Sequence, residues 1–246
     1  MSWARTRATA FRVLRQLGHD RASLAIMLAA PCIVLGLVAW LFWDSPTPVL
    51  DRFGPILLAV IPAVVMFLVA SVATLRERTG GTLERLMAMP LGRGDFVTGY
   101  ALGLGVAAVA QAVVVTAWLR WVCRMDQGRW PGLMVLVAVM SALLGAMLGL
   151  AASALARTEF QAVQLMPAVI LPQLAICGLI MPREQMPRLL DWVSDVLPFS
   201  YAVDAMRRCA SAGGRLGLVW RDIGVVAGFI ALALVVAAAT LRRRTR

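Results

Sequence analysis

The chain contains no lysine: all 24 of its basic residues are arginine. A phosphate-gripping loop of the Walker A type needs a lysine to reach the nucleotide phosphates, so this chain carries no such ATP site. Its single histidine, His19, rules out the two-histidine zinc helix of metalloproteases. Lying outside the apolar runs, it also offers no Ser-His dyad within a membrane, and no pair of aspartates sits in those runs. No catalytic residue is therefore expected. The four cysteines, Cys32, Cys123, Cys177 and Cys209, lack the spacing of metal ligands, and no metal site is expected. Cys123 and Cys209 fall on one predicted side, where a disulfide is chemically allowed, although unpaired burial is the commoner fate of such thiols. Charge is scarce too. Only 15% of the 246 residues are charged, and a mean hydropathy of +0.80 lies outside the soluble range.

Long apolar runs take the place of charge. Six stretches, at 24–43, 55–75, 96–119, 132–156, 160–181 and 223–241, are long enough to cross a bilayer as helices, and none holds Asp, Glu, Lys, Arg or His. The expected fold is an all-α integral membrane protein, a single transmembrane domain over residues 1–246. Arginines precede the first run, as in a secretory signal. It exceeds the roughly 7 to 15 apolar residues of a signal core, however, and FWDSPTPVLD offers no small-x-small cleavage site, so it is expected to be a permanent span.

The arginines orient the spans. Segments 5–21, 76–93, 157 and 242–246 lie on one side and hold fourteen of them, against Arg52, Arg120, Arg124 and Arg129 in the short loops opposite. The long segment 182–222 weighs little in this balance, so both termini are expected in the cytoplasm, with the protein in the cell membrane. Arginines facing anionic headgroups account for the net charge of +11. No nucleic-acid partner is expected.

Residues 1–22 have helical periodicity. Trp3, Ala10, Leu14 and Leu17 share one face beside Phe11, and Arg5, Arg12, Gln16 and His19 share another. This predicts an amphipathic helix in the membrane interface, with Arg7 snorkelling; a polar lead-in to the first span is the alternative. The glycine pairs Gly99 and Gly103, Gly145 and Gly149, and Gly224 and Gly228 predict close helix approach, within one chain or between two. Prolines interrupt spans at Pro31, Pro62, Pro167 and Pro172. The fifth run adds Gln161, Gln164 and Gln173, so Gln164, Pro172 and Gln173 are candidate path-lining residues; interhelical amide hydrogen bonds explain them equally well. Trp40, Phe42, Trp43, Phe96, Tyr100, Trp118, Trp121 and Trp130 gather near span ends as an interfacial belt.

Two segments break the apolar pattern. In 182–217, Met186, Leu189, Leu190, Val193 and Leu197 recur at helical spacing until Pro198, after which Phe199, Val203 and Met206 continue on a second short helix. Asp204 is expected to pair with Arg207 or Arg208. Each helix is too short to cross, which predicts a re-entrant hairpin in the outer leaflet. The other segment is RERTGGTLERLMAMPLGRGD at 76–95. Gly80 and Gly81 end the second span, Thr82 caps a new short helix with Glu84 in its first turn, and Pro90 and Gly92 stop it. Leu83, Leu86 and Met87 lie on one side of that helix, with Glu84 and Arg85 on the other. Either a partner covers the apolar side, or the segment rests on headgroups.

RERTGGTLERLMAMPLGRGDFVTGY resembles the loop between the second and third spans of type 2 ABC transporter permeases of the daunorubicin-resistance kind. ICGLIMPREQMPRLLDWVSDVLPFSYAVDAMRR is similar to that family's outer hairpin, with Pro182, Pro187, Pro198, Ser200, Tyr201, Asp204 and Arg207 matching in turn. The likeness covers nearly the whole chain. Thr79 stands where the family often has an acid, and Tyr100 where it often has a lysine. The resemblance implies the permease subunit of an exporter, in which a pair of permease chains, identical or related, joins a pair of ATPases that bind ATP and magnesium. This chain would bind no cofactor. Glu77, Thr82, Leu83, Glu84, Arg85 and Leu86 would meet the ATPase, and the hairpin would act as a lid. A drug, lipid or other amphipathic molecule would be the cargo. The alternative is a transporter driven by an ion gradient, which the charge-free spans disfavour.

Overall fold

The computed structural model describes residues 3–43, 49–80, 92–179, 183–211 and 213–240. Among them all regular structure is helical: α1 (Trp3–His19), α2 (Arg21–Leu41), α3 (Val49–Thr79), α4 (Arg93–Trp121), α5 (Pro131–Ala152), α6 (Glu159–Ile176), a 3₁₀ turn (Arg183–Gln185), α7 (Arg188–Asp195), α8 (Pro198–Ala210) and α9 (Leu216–Thr240). Six of these helices, α2 to α6 and α9, are long and apolar enough to cross a membrane.

Local chemistry sets several boundaries. Asp20 accepts from the Ser23 amide at 3.1 Å and its hydroxyl at 2.7 Å, capping α2 as the chain leaves α1. Gly178, in the left-handed region at φ 95°, follows the end of α6. Pro198 opens α8, where a missing N–H leaves nothing unsatisfied. At 31 residues α3 is about 46 Å long, well beyond the ~30 Å hydrocarbon layer. Its charged residues sit at its two ends, Asp51 and Arg52 at one and Arg76 to Arg78 at the other. The last helix starts at Leu216, ahead of the run expected from 223, and so takes in Arg221 and Asp222.

α3 and α5 form the centre of the bundle. A Cβ at Gly145 would overlap the Ala63 carbonyl, and one at Gly149 that of Phe67. Two of the three glycine pairs thus work within the chain: Gly145 and Gly149 seat α5 on α3, and Gly99 and Gly103 seat α4 against Thr9, Ala10 and Val13 of α1. Nothing lies within 4 Å of a Cβ added at Gly224 or Gly228. Replacing Gly145 with leucine should therefore abolish folded protein in a detergent size-exclusion profile, whereas Gly228→Leu should leave the fold of the single chain intact, with wild-type helix content by circular dichroism.

The structure divides the expected apolar face of α1 between protein and the open surface. Thr6, Thr9, Val13 and Leu17 are buried, while Trp3 and Phe11 are 68% and 69% exposed. The glycines of α4 leave a shallow groove that accepts small and β-branched side chains, and the large rings point elsewhere. Phe96 and Tyr100 likewise leave the expected aromatic belt and are buried, their ring centroids 4.7 Å apart. All four cysteines are free thiols and buried.

Candidate functional site

Two polar clusters mark opposite ends of the bundle. The first joins α1, α3 and α4 around the segment 81–91. Glu77, one turn from the end of α3, is only 4% exposed. Arg12 of α1 grips it with both arms, Nη1 to Oε1 at 2.6 Å and Nη2 to Oε2 at 3.2 Å. The same guanidinium lies 5.7 Å from the centroid of the Tyr100 ring on α4. Burial opposes the charge on Arg12, but the bonds to Glu77 more than compensate and hold its pKa above the ordinary value. Beside this pair, Arg76 donates to Glu159 of α6 at 2.9 and 3.0 Å and to Asp20 at 3.3 Å. Arg76 is half exposed, so these outer bonds contribute little, about 0–1 kcal/mol each. They tie α3 to α6 and to the α1–α2 junction all the same.

Of the residues the sequence nominated here, Glu77 takes its place in the cluster. Thr82, Leu83, Glu84, Arg85 and Leu86 lie outside the described residues. Both flanks of their segment are held. Gly80 N–H donates to the Arg76 carbonyl at 2.9 Å, and Gly92 N–H to Asp95 Oδ2 at 3.4 Å.

The second cluster occupies the opposite end. Arg183 holds Asp204 at 3.1 Å and Asp191 at 3.5 Å and also pairs with Asp195. Arg208 reaches Asp204 at 3.8 Å and pairs with Asp222, which Arg221 contacts at 2.9 Å. The chain of charges thus runs from α7 through α8 into α9, where Asp222 is fully buried. Burial pushes the Asp204 carboxyl up from its ordinary pKa, against the pull of Arg208 and Arg183. Asp204 was expected to choose between Arg207 and Arg208. It takes Arg208 and adds Arg183, because Arg207 donates instead to the Gly178 carbonyl after α6. Tyr201 Oη donates to the Asp195 carbonyl at 2.8 Å, closing the turn between α7 and α8. Pro187 precedes α7 and Pro198 begins α8, as the hairpin pattern requires; Pro182 lies outside the described residues.

The fifth-span trio separates. Gln164 and Pro172 are on the open side of α6, but Gln173 is buried and its amide donates to the Val169 carbonyl at 2.8 Å. Its side-chain oxygen is buried without a hydrogen-bond partner among the described residues. α6 is the least covered of the six apolar helices, with 17% of its apolar window buried, against 67% for α3.

The pattern of apolar runs does not mark Arg12, which shares a helix face with Arg5, Gln16 and His19, or Asp222, which directly precedes the last apolar run. A signal existed for Asp222: it falls in step with Val219, Val226 and Ile230, all of them buried. Arg183 carried none, because its aspartate partners lie on other elements; for Arg208 the i,i+4 pairing with Asp204 was legible, but the pairing with Asp222 of α9 was not.

The profile of the family described as ABC-2 type transporter matches residues 5–209. The chain is 28% identical over 72% of its length to ABC transporter G family member 20 of Dictyostelium discoideum, covering 24% of that protein. It is 27% identical over 69% of its length to the probable multidrug ABC transporter permease YbhR of Escherichia coli strain K12, covering 46% of it. Nodulation protein J of Rhizobium leguminosarum bv. viciae is 27% identical over 66% of the chain and is covered to 62%. The chain therefore spans less than two thirds of the length of each. A family profile that runs from α1 through α8, on a bundle with six membrane-length helices, makes this a multi-pass membrane protein belonging to the ABC-2 type transporter family.

Proposed function

We propose that this chain is the membrane-spanning permease subunit of an ABC exporter in the cell membrane, with both termini in the cytoplasm, moving a lipophilic or amphipathic cargo. A separate ATPase binds ATP and magnesium and supplies the work. A second permease chain completes the path, and the open faces of α6 and of Gly224 and Gly228 support such a neighbour. In this arrangement the ATPase meets Thr82 to Leu86, and Gln164 and Pro172 face the path. The exposed Trp3 and Phe11 rest α1 on the membrane interface, and the α7–α8 hairpin lies in the outer leaflet as a lid.

The observation that carries the coupling is the tie around 81–91. Glu77 is bound to Arg12 on α1, and α1 is seated on Gly99 and Gly103 of α4. Both flanks of the segment are thus joined to the same helix. A push on that segment reaches α1, α3 and α4 as one body, as rigid-body alternating access needs. The buried carboxylates Glu77 and Asp222 are each held by arginine, which stays charged at any working pH. Their pairing favours a structural role over that of a proton carrier. The test is copurification: a Walker A ATPase encoded beside this gene should copurify with the chain, and Leu83→Asp combined with Leu86→Asp should reduce its recovery at least tenfold. Unchanged recovery would remove the proposed contact.

A further inference from the structure

Leu155, Arg157, Gln161, Gln164 and Leu165 line an open cavity of about 330 Å³ at the start of α6. Its chemistry is one-sided. Arg157 brings a guanidinium, a group that only donates, and it has no carboxylate partner among the described residues. The nearby carboxylate, Glu159, is held by both arms of Arg76. Gln161 accepts from the Arg157 amide through Oε1 at 2.9 Å, which leaves its NH₂ to donate outward. Gln164 follows on the next turn and adds a second amide. Donors at the head of the cavity are joined by Leu155 and Leu165 in its wall; Leu155 is 75% exposed, and Phe160, on the first turn of α6, is 71% exposed. A cationic headgroup would be repelled by the guanidinium, and an uncharged oxygen would accept from it without balancing its charge. A carboxylate or phosphate would satisfy it with two parallel bonds and accept from the amides as well.

We infer that this cavity receives the anionic headgroup of an amphiphile, with the tail laid along Leu155, Leu165 and Phe160, so that the cargo class is negatively charged amphiphiles. The cargo assignment rests on the exporter reading; the binding site itself does not. In the chain–ATPase complex, reconstituted in phosphatidylcholine nanodiscs, dansyl-undecanoic acid should bind at least tenfold more tightly than its uncharged amide. Arg157→Ala should erase that preference by weakening the acid alone, and Arg157→Lys should keep most of it. Inorganic phosphate at millimolar concentration should not displace the acid; complete displacement would make this a site for free anions and overturn the inference. Equal binding of acid and amide, or an acid affinity unchanged in Arg157→Ala, would also overturn it. If copurification with an ATPase fails while Arg157-dependent binding by the chain alone persists, the exporter reading falls and the binding site stands.

Discussion

Replacing Glu77 with alanine is expected to destabilise the protein by about 3 kcal/mol and to uncouple ATP hydrolysis from transport. The carboxylate is almost entirely buried and Arg12 is 30% exposed, so its removal leaves a half-buried guanidinium with nothing to balance it. Breaking a buried pair by deleting one partner typically costs about 3–5 kcal/mol, and the partial exposure of Arg12 puts this case at the lower end. Arg12→Lys should recover only part of the loss, because an ammonium cannot reproduce the two-armed grip. The decisive comparison is the exchange Arg12→Glu with Glu77→Arg. It should melt closer to wild type than either single change, with a coupling energy of at least ~1 kcal/mol in the double-mutant cycle. ATPase turnover in the complex should survive Glu77→Ala while cargo movement falls at least tenfold. A variant with wild-type melting and transport would show that the tie between α1 and α3 carries no load.

Asp222→Ala is expected to open the opposite end of the bundle. Asp222 is fully buried and faces Arg208 and Arg221, so the change leaves Arg208 with only its 3.8 Å contact to Asp204 and should cost about 3 kcal/mol, the lower end for a broken buried pair. Cys209, next to Arg208 in sequence, reports the event directly. Its side chain is fully buried and its thiol is pushed up to about 11 by that burial, so it should resist maleimide at neutral pH. In a chain whose other cysteines are alanine, release of α8 from α9 exposes the thiol and returns its acidity toward normal. Both effects raise the labelling rate, by at least ~10-fold together, since two pH units of acidity alone change the thiolate fraction about 100-fold. Asp222→Asn keeps the shape and loses the charge, and should give an intermediate rate. Labelling as slow as wild type in both variants would show that the arginine–aspartate chain does not hold the hairpin down.

How much of this was legible beforehand differs by element. The six apolar helices, the break at Pro198 and the end of α3 at Thr79 with Gly80 beyond follow from properties that lie along the chain: run length, a missing N–H, a residue free of Cβ. The helix starts beside Pro187 and Pro198 were legible because a proline acts on its immediate surroundings. Which part of the apolar face of α1 meets protein was not legible. Trp3 and Phe11 were grouped with Leu17, yet only Leu17 is buried against protein. In a soluble protein an apolar stripe points to the core. Here lipid and protein interior are both apolar, and periodicity cannot tell one from the other.

The amino-acid sequence by itself determined that this is a helical membrane protein without a Walker A site, with polar segments at 76–95 and 182–217, because solvation and chain length act on each stretch independently of the others. Only the tertiary structure decided that Arg12 meets Glu77 across 65 residues, that Asp222 is the buried end of a charge chain from α7, and that Gly224 and Gly228 face outward while the other glycine pairs seat helices. Those outcomes depend on which helix stands beside which, and a charge in a helix has no preferred partner until packing supplies one.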